Sequence, residues 1–335
     1  MADFVLQITD WYRLNSRDLP WRRTKNPYFI WISEIILQQT RVDQGLSYYQ
    51  KFTQLFPTVH DLANASENEV LKAWQGLGYY SRARNLHFTA KFISSELNGI
   101  FPNSYNEIIS LKGIGSYTAA AISSFAYNLP HAVVDGNVYR VLSRYYEIHE
   151  AIDSSLGKKV FDSLAQSLIP NSNPGEYNQA IMEFGAMQCT PSNPNCEICP
   201  LVSSCKSALK KDLIQKLPYK KGKTTVKKRY FHYFYIISNN QLALVKRTEK
   251  DVWQYLFEFP MIETVDENLP LHYKQKASFI CSFKHILSHQ HIHAFFYKWN
   301  PSLKPDFPYE MIGFEQLEDF PIHRLVDKFL ESITN

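Results

Sequence analysis

No apolar run in these 335 residues approaches the length that crosses a bilayer, so a helical membrane protein is not expected. The opening MADFVLQITDWYRLN also lacks the basic start and continuous apolar core of a secretory signal. Apolar residues at 4, 5, 8, 11 and 12 instead make it an amphipathic helix. Cysteine is scarce: five in all, of which four crowd into the seventeen residues from Cys189 to Cys205 while Cys281 stands apart. That pattern argues against a secreted disulfide framework and for a metal site in a reducing, cytoplasmic compartment. With 20% charged and 45% hydrophobic residues the chain reads as folded, and its length suits two domains. The net charge of +4 is a mild pointer to nucleic acid, and its distribution says more. Ten of the cations lie between Lys206 and Arg229 against one acid, Asp212. Such a run is ordinarily a solvated linker, and beside a nucleic acid it also contacts phosphates.

Two stretches organise the rest. LKGIGSYTAA, from Leu111 to Ala120, is a glycine-punctuated turn opening a helix. Gly113 and Gly115 let the backbone turn tightly and approach a partner closely. The N–H groups from Ser116 onward can then hold a phosphate. VVDGNVYRV, from Val133 to Val141, is a short extended piece ending in Asp135, after which Val138, Val141, Leu142 and Tyr145 recur at helical spacing. Asp135 therefore sits at a helix N-cap, where N–H groups and the helix dipole favour the ionised carboxylate at neutral pH. Taken alone, Asp135 is a cap and the glycine pair is a turn.

Together with the cysteines, the two stretches resemble the helix–hairpin–helix DNA glycosylases of the endonuclease III superfamily, and the MutY-type adenine DNA glycosylases in particular, over nearly the whole chain. The block WISEIILQQTRV resembles that family's catalytic-acid motif and places Glu34 at the acid position, on a helix expected to begin near Ser33. The resemblance implies that Gln39 and Thr40 meet the DNA where a base has left the stack, and that Arg17, Trp21, Arg22 and Gln179 surround the adenine. It puts Leu77 and Tyr79, on the turn GLGYYSRARN, at the duplex wedge, with Arg82 and Arg84 suited to backbone contacts. The resemblance further implies that Gly113, Gly115 and Ser116 hold DNA phosphate, and that Glu34 and Asp135 are catalytic, with Tyr117 and Asn137 holding them in register. Tyr117 stands where lyase relatives carry the lysine that forms an imine with the sugar, so strand cleavage is expected to be slight or absent. The chain also departs from some MutY sequences, which carry a lysine where Tyr139 stands.

Cys189, Cys196, Cys199 and Cys205 have the spacing C-x6-C-x2-C-x5-C. Four neighbouring thiolates can hold zinc or an iron–sulfur cluster, but structural zinc sites usually show two close pairs and only 196 and 199 form one here. The resemblance implies a [4Fe–4S] cluster. Beyond the basic run the texture turns to strands, with a hairpin expected from 229–237 and 242–247. This portion resembles the Nudix-like domain of the same family, without the Nudix box that hydrolysis of pyrophosphates requires. Leu287, Ser288 and His289 stand where relatives carry a Phe-Ser-His lesion-reading triplet, so Ser288 and His289 are expected to read the lesion. His285, His289, His291 and His293 alternate along a strand and are expected to face outward, toward DNA, without a metal.

The expected fold is an all-α helix–hairpin–helix glycosylase core with a cluster loop, followed by an α+β Nudix-like domain. The core spans 1–206, with a six-helix region at about 29–127 and a cluster domain from 1–28 and 128–206; 207–227 is a linker and 228–335 the second domain. The expected activity is base excision repair of adenine mispaired with 8-oxoguanine or guanine in double-stranded DNA, by a monomer away from membranes and at the nucleoid. A pyrimidine-specific lyase conflicts with Tyr117 and the extra C-terminal domain. A non-catalytic DNA-binding module has no need of both Glu34 and Asp135.

Overall fold

The computed structural model describes residues 2–222, 225–287 and 289–334. The first part of the chain is helical: α1 (Ala2–Asn15), α2 (Pro27–Leu37), α3 (Val42–Leu55), α4 (Val59–Asn64), α5 (Glu67–Ala73), α6 (Ser81–Glu96), α7 (Tyr105–Ser110), α8 (Ser116–Tyr127), α9 (Gly136–Tyr146), α10 (Ser155–Leu168), α11 (Pro174–Met187) and α12 (Lys211–Lys216). Strands β1 (Lys227–Tyr235), β2 (Ile237–Ser238), β3 (Gln241–Lys246), β4 (Phe257–Glu258) and β5 (Met261–Thr264) follow, then α13 (Leu271–Lys274), β6 (Ala277–Ile286), β7 (Gln290–Trp299), β8 (Glu310–Gly313) and α14 (Arg324–Thr334). Among the described residues no helix is long and apolar enough to cross a membrane.

The chain divides into two compact units, Met1–Ala63 with Phe88–Gly222, and Asn64–His87 with Lys223–Asn335. In the sequence, 64–87 reads as part of the helical core; in the structure it belongs with the C-terminal half. Within that unit Arg84 donates to the Gln254 carbonyl at 2.9 Å and Lys246 pairs with Glu67.

In the first unit, Phe4, Ile8 and Tyr12 form the buried stripe of α1 at helical spacing, and Phe4 rests on Tyr145 of α9 with ring centroids 4.4 Å apart. Helix α2 is buried nearly throughout, which its sequence PYFIWISEIIL allows. It starts at Pro27, not near Ser33: Asn26 caps it by accepting from the Tyr28 N–H, and proline suits the first helical position. Glu34 thus lies in the last turn of α2. Helix α8 is built from small buried residues, including Ala119, Ala120, Ala121 and Ser123, so neighbours approach closely. Helix α11 does so at two glycines. A methyl group on Gly175 would lie 2.6 Å from the Ser124 carbonyl oxygen, and one on Gly185 would lie 2.6 Å from Asn137 Cβ. These contacts fix α11 against both α8 and α9.

The second unit holds a mixed sheet in the order β5-β1-β7-β6, in which β1 and β7 run parallel. A second small sheet has the order β2-β3-β4, with β8 also on β3. The expected hairpin survives only at its tip, where Ile237 and Ser238 pair with Leu242 and Gln241. Strand β1 leaves its sequence neighbour for β5 and β7, where both its faces are covered: Phe231 and Tyr233 bury on one and Phe234, stacked on Phe307, on the other. Helix α14 covers one face through Leu325, Val326 and Phe329, the last stacked on Phe296 at 4.5 Å. Near the start of residues 64–87 a capping box opens α5, Ser66 and Glu69 bonding reciprocally.

Candidate active site and cluster cradle

A cavity of about 800 Å³ opens in the first unit, lined among others by Glu34, Tyr117, Asp135 and Asn137. Arg17, Trp21, Arg22 and Gln179 line it too, as do Gln39, Thr40, Gly113, Gly115 and Ser116. Residues scattered from Arg17 to Gln179 therefore converge on one space, whose volume lies in the range of small-molecule sites.

Glu34 is 6% exposed, and burial pushes its carboxyl up to about 7, with Asp135 adding to the rise while Tyr117 and Arg22 pull against it. Its place in the last turn of α2, beside the negative helix end, acts in the same direction. Asp135 caps α9 as the sequence indicates, accepting from the Asn137 N–H at 2.9 Å and the Val138 N–H at 2.8 Å. The Asn137 side-chain amide donates to its other oxygen at 2.8 Å. Capping alone would lower this carboxyl below its ordinary value. In the structure it is raised, because burial outweighs the donors. The Tyr117 hydroxyl donates to Met182 Sδ at 3.2 Å and also interacts with Glu34; burial first, then the two carboxylates, hold the phenol well above its usual range.

Arg17 and Arg22 both close on Glu183, which is 1% exposed. Arg17 Nη2 lies 2.6 Å and Arg22 Nη2 2.7 Å from it, Arg17 Nε and Arg22 Nη1 donate as well, and the Arg17 backbone N–H is a further donor. Burial raises this carboxyl, but the hydrogen bonds from both arginines prevail and hold it at about 2. Sequence reasoning missed Glu183, although an acid four residues after Gln179 on an apolar helix was a signal that it shares Gln179's face. Gln179 itself accepts from the Tyr12 hydroxyl at 2.9 Å. Gln38 is a second omission: its amide donates to Thr118 Oγ1 at 3.2 Å and joins the end of α2 to α8.

Gly113 takes the left-handed backbone, at φ 82°, that the turn demands. Gly115 caps α8 without a side-chain bond, and nothing stands within 4 Å of where its Cβ would be. Gln39 also has a left-handed φ, 56°, and is exposed just past the end of α2.

Leu77 and Tyr79 belong to the second unit and line a different pocket with Trp253, His285, Leu287 and His289. Tyr79 is displayed, 48% exposed, whereas Leu77 is buried. Arg82 and Arg84 are not displayed for DNA: Arg82 donates to the Leu77 and Gly78 carbonyls and Arg84 to Gln254. They shape the turn. Ser288 lies outside the described residues. The histidines do not all face outward either. His285 turns in against Trp253, and burial drives its pKa down to about 4, while His293 stacks on Tyr230.

All four clustered cysteines line one pocket, together with Arg144 and Ser207. Arg144 Nη1 lies 3.5 Å from Cys189 Sγ and donates to the Thr190 carbonyl at 2.7 Å. Burial pushes the Cys199 thiol up to about 11 and raises Cys205 as well, so thiolates here need a bound cation. The hydroxyl of Ser207, a residue lining this pocket, is buried and has no hydrogen-bond partner among the described residues. Four thiols, a guanidinium and an orphaned hydroxyl around one space suit a sulfur-rich, negatively charged group. Arg140, one turn before Arg144, donates to the Cys189 carbonyl at 2.7 Å and to Asn137 Oδ1 at 2.8 Å. Helix α9 thus joins the cysteine loop to Asp135.

Comparison with known proteins identifies the family. Residues 32–166 match the HhH-GPD superfamily of base excision DNA repair proteins, 189–205 the iron–sulfur binding domain of endonuclease III, and 232–332 a NUDIX domain. The adenine DNA glycosylase of Buchnera aphidicola subsp. Baizongia pistaciae is 42% identical over 293 residues, covering 85% of this chain and 83% of the relative. That of Buchnera aphidicola subsp. Schizaphis graminum is 35% identical and aligns over 98% of both. This chain belongs to the adenine DNA glycosylase family. Among solved structures, a thermostable thymine-DNA glycosylase superposes with a TM-score of 0.57 at 31% identity, covering 62% of this chain and 95% of that one. The family membership makes the protein a DNA glycosylase that carries a [4Fe–4S] cluster, and the match to the iron–sulfur binding domain falls on the cysteine loop 189–205. The helix–hairpin–helix core and the C-terminal Nudix-like domain are both present.

Proposed function

We propose that this glycosylase removes adenine from A·8-oxoguanine and A·guanine mispairs in duplex DNA, hydrolytically and without cleaving the strand. The observation that carries the reading is the pair of carboxyl groups in one cavity, with Glu34 buried and balanced near neutrality. A target base inside the stack is unreachable, so the nucleotide is extruded into the cavity. Glu34 protonates adenine N7, and its pKa of about 7 leaves a useful fraction protonated at neutral pH. As the bond to the sugar breaks, positive charge develops on the sugar, and Asp135 stabilises it from a position fixed by three donors. Tyr117 and Asn137 hold the two carboxylates in register. Arg17, Arg22 and Gln179 wall the adenine, the arginines being set by Glu183.

The uncapped start of α8, reached through Gly113, Gly115 and Ser116, receives a backbone phosphate. Gln39 and Thr40 occupy the gap that the extruded base leaves. Tyr79, the exposed residue of its turn, parts the duplex with buried Leu77 packed beneath the turn, and His289 with Ser288 reads the opposite base. The cluster's own part is to clip the loop 189–205, and it supplies no step of the base release. A phenol at 117 cannot form an imine with the sugar, so the route ends at an abasic site.

The test is a strand-cleavage gel on A·8-oxoguanine, A·guanine and oxidised-pyrimidine duplexes, run with and without alkali. Cleavage of the adenine-containing strand only after alkali is expected. Cleavage without alkali, or on the oxidised-pyrimidine duplex, refutes the reading.

A further inference from the structure

The cluster cradle contains a hydroxyl group that the fold does not use. Ser207 lies two residues beyond Cys205 and is 1% exposed. Its backbone is fully committed: its N–H donates to the Arg144 carbonyl at 3.2 Å and its carbonyl accepts from the Lys210 N–H at 3.2 Å. The preceding Lys206 N–H likewise donates to the Tyr145 carbonyl at 3.1 Å. The segment after the last cysteine is therefore pinned to the end of α9 by main chain alone. The side-chain oxygen of Ser207 has no hydrogen-bond partner among the described residues, and water has no access to it. A buried hydroxyl left unpaired is destabilising, and most such groups find a partner. Here it shares its pocket with Cys189, Cys196, Cys199 and Cys205.

We propose that Ser207 donates its hydroxyl hydrogen bond to a sulfur atom of the [4Fe–4S] cluster and thereby raises the cluster's reduction potential. The sign follows from charge. The reduced cluster carries one more electron, much of it spread over sulfur, so a donor aimed at sulfur favours the reduced form. Arg144 already brings one donor to Cys189. Ser207 adds a neutral one from the segment after Cys205, whose backbone is held to the Arg144 carbonyl. Among the described residues no contact requires a hydroxyl at 207, since alanine keeps the same backbone bonds to Arg144 and Lys210. Ser207 is in this sense a tuning residue for the group, not a ligand and not part of base release.

The experiment is film voltammetry of the full-length, cluster-loaded protein, comparing the parent with Ser207→Ala and Ser207→Thr. The alanine variant is expected to shift to a more negative potential, and threonine, which keeps the hydroxyl, to stay with the parent. The potential belongs to the loaded fraction, so reduced cluster content in a variant does not blur the reading. Resonance Raman spectra in H2O and D2O give a second readout: iron–sulfur stretching bands of the parent should shift on exchange, and those of Ser207→Ala should shift less. An unchanged or more positive potential in Ser207→Ala, or an isotope response equal to that of the parent, overturns the proposal.

Discussion

Glu34 is a carboxyl group kept from ionising by its own surroundings. Burial, the nearby Asp135 and the negative end of α2 all favour the proton, and at about 7 the group is poised to give it up. The general acid must be protonated to act, so single-turnover excision should fall as pH rises through about 7. Glu34→Gln keeps the shape but has no proton to give. It should lower base release by ~10²–10⁴-fold while duplex binding stays near normal, and its residual rate should lose that pH dependence. Near-normal excision by the variant removes Glu34 from the role. Glu183 is the opposite case. Its two arginines hold it at about 2, below the ordinary 4.5, so its stabilising contribution is present above about 4.5 and is lost as pH falls toward 2. Glu183→Gln should cost on the order of 3 kcal/mol, at the low end for a broken buried pair because Arg17 stays partly open to solvent. Urea melts of parent and variant between pH 7 and pH 3 should converge as the pH falls; a constant difference excludes the ion pair as its source.

At the scale of elements, α11 sets the distance at which α9 presents Asp135. The close approach depends on Gly185, whose added methyl would overlap Asn137 Cβ and stand 2.9 Å from the Asn137 carbonyl oxygen. Both obstacles are on the neighbouring helix, and one is backbone, so the helices must separate. Gly185→Ala should therefore cost about 1–3 kcal/mol of stability, as overpacking does, and should also slow excision, because Asn137 bonds directly to Asp135. A thermal melt and a single-turnover assay on the same preparation test the pairing of effects. Full activity in a destabilised variant would mean that the position of α9 is not limiting. Arg140 belongs to the same element, and its bonds to Asn137 and the Cys189 carbonyl make the loop and the cap one mechanical piece.

At the scale of the whole molecule, residues 64–87 bury Val70, Leu71, Trp74 and Leu77 within the second unit, alongside 223–335. A truncation after residue 225 is consequently not a clean removal of a domain. It should lower soluble yield and melting temperature, and its mispair preference would report unfolding as much as lost lesion reading. Point changes are the better probe: His289→Ala should narrow the preference for A·8-oxoguanine over A·guanine by roughly fivefold, the worth of one hydrogen bond. Equal discrimination by parent and variant places lesion reading elsewhere. Purified parent should also be brown, with broad absorption near roughly 400 nm from thiolate-to-iron charge transfer.

Patterns local in the chain were legible in the sequence alone. The cap at Asp135, the tight glycine turn at 113 and the cysteine spacing each depend on residues a few positions apart. Backbone chemistry at that range leaves few alternatives. The motif around Glu34 was legible as a motif, but not its place in a last turn, because Asn26 and Pro27 start the helix earlier than the apolar run suggested. Contacts across long separations were decided only by packing. Glu183 clamps Arg17 and Arg22 from more than 160 positions away, and β1 abandons the hairpin to pair with β7. The raised carboxyl of Asp135 belongs here too: its donors are local, but the burial that outweighs them comes from the tertiary fold. Desolvation is a property of everything packed around a group, and no local stretch of sequence contains it.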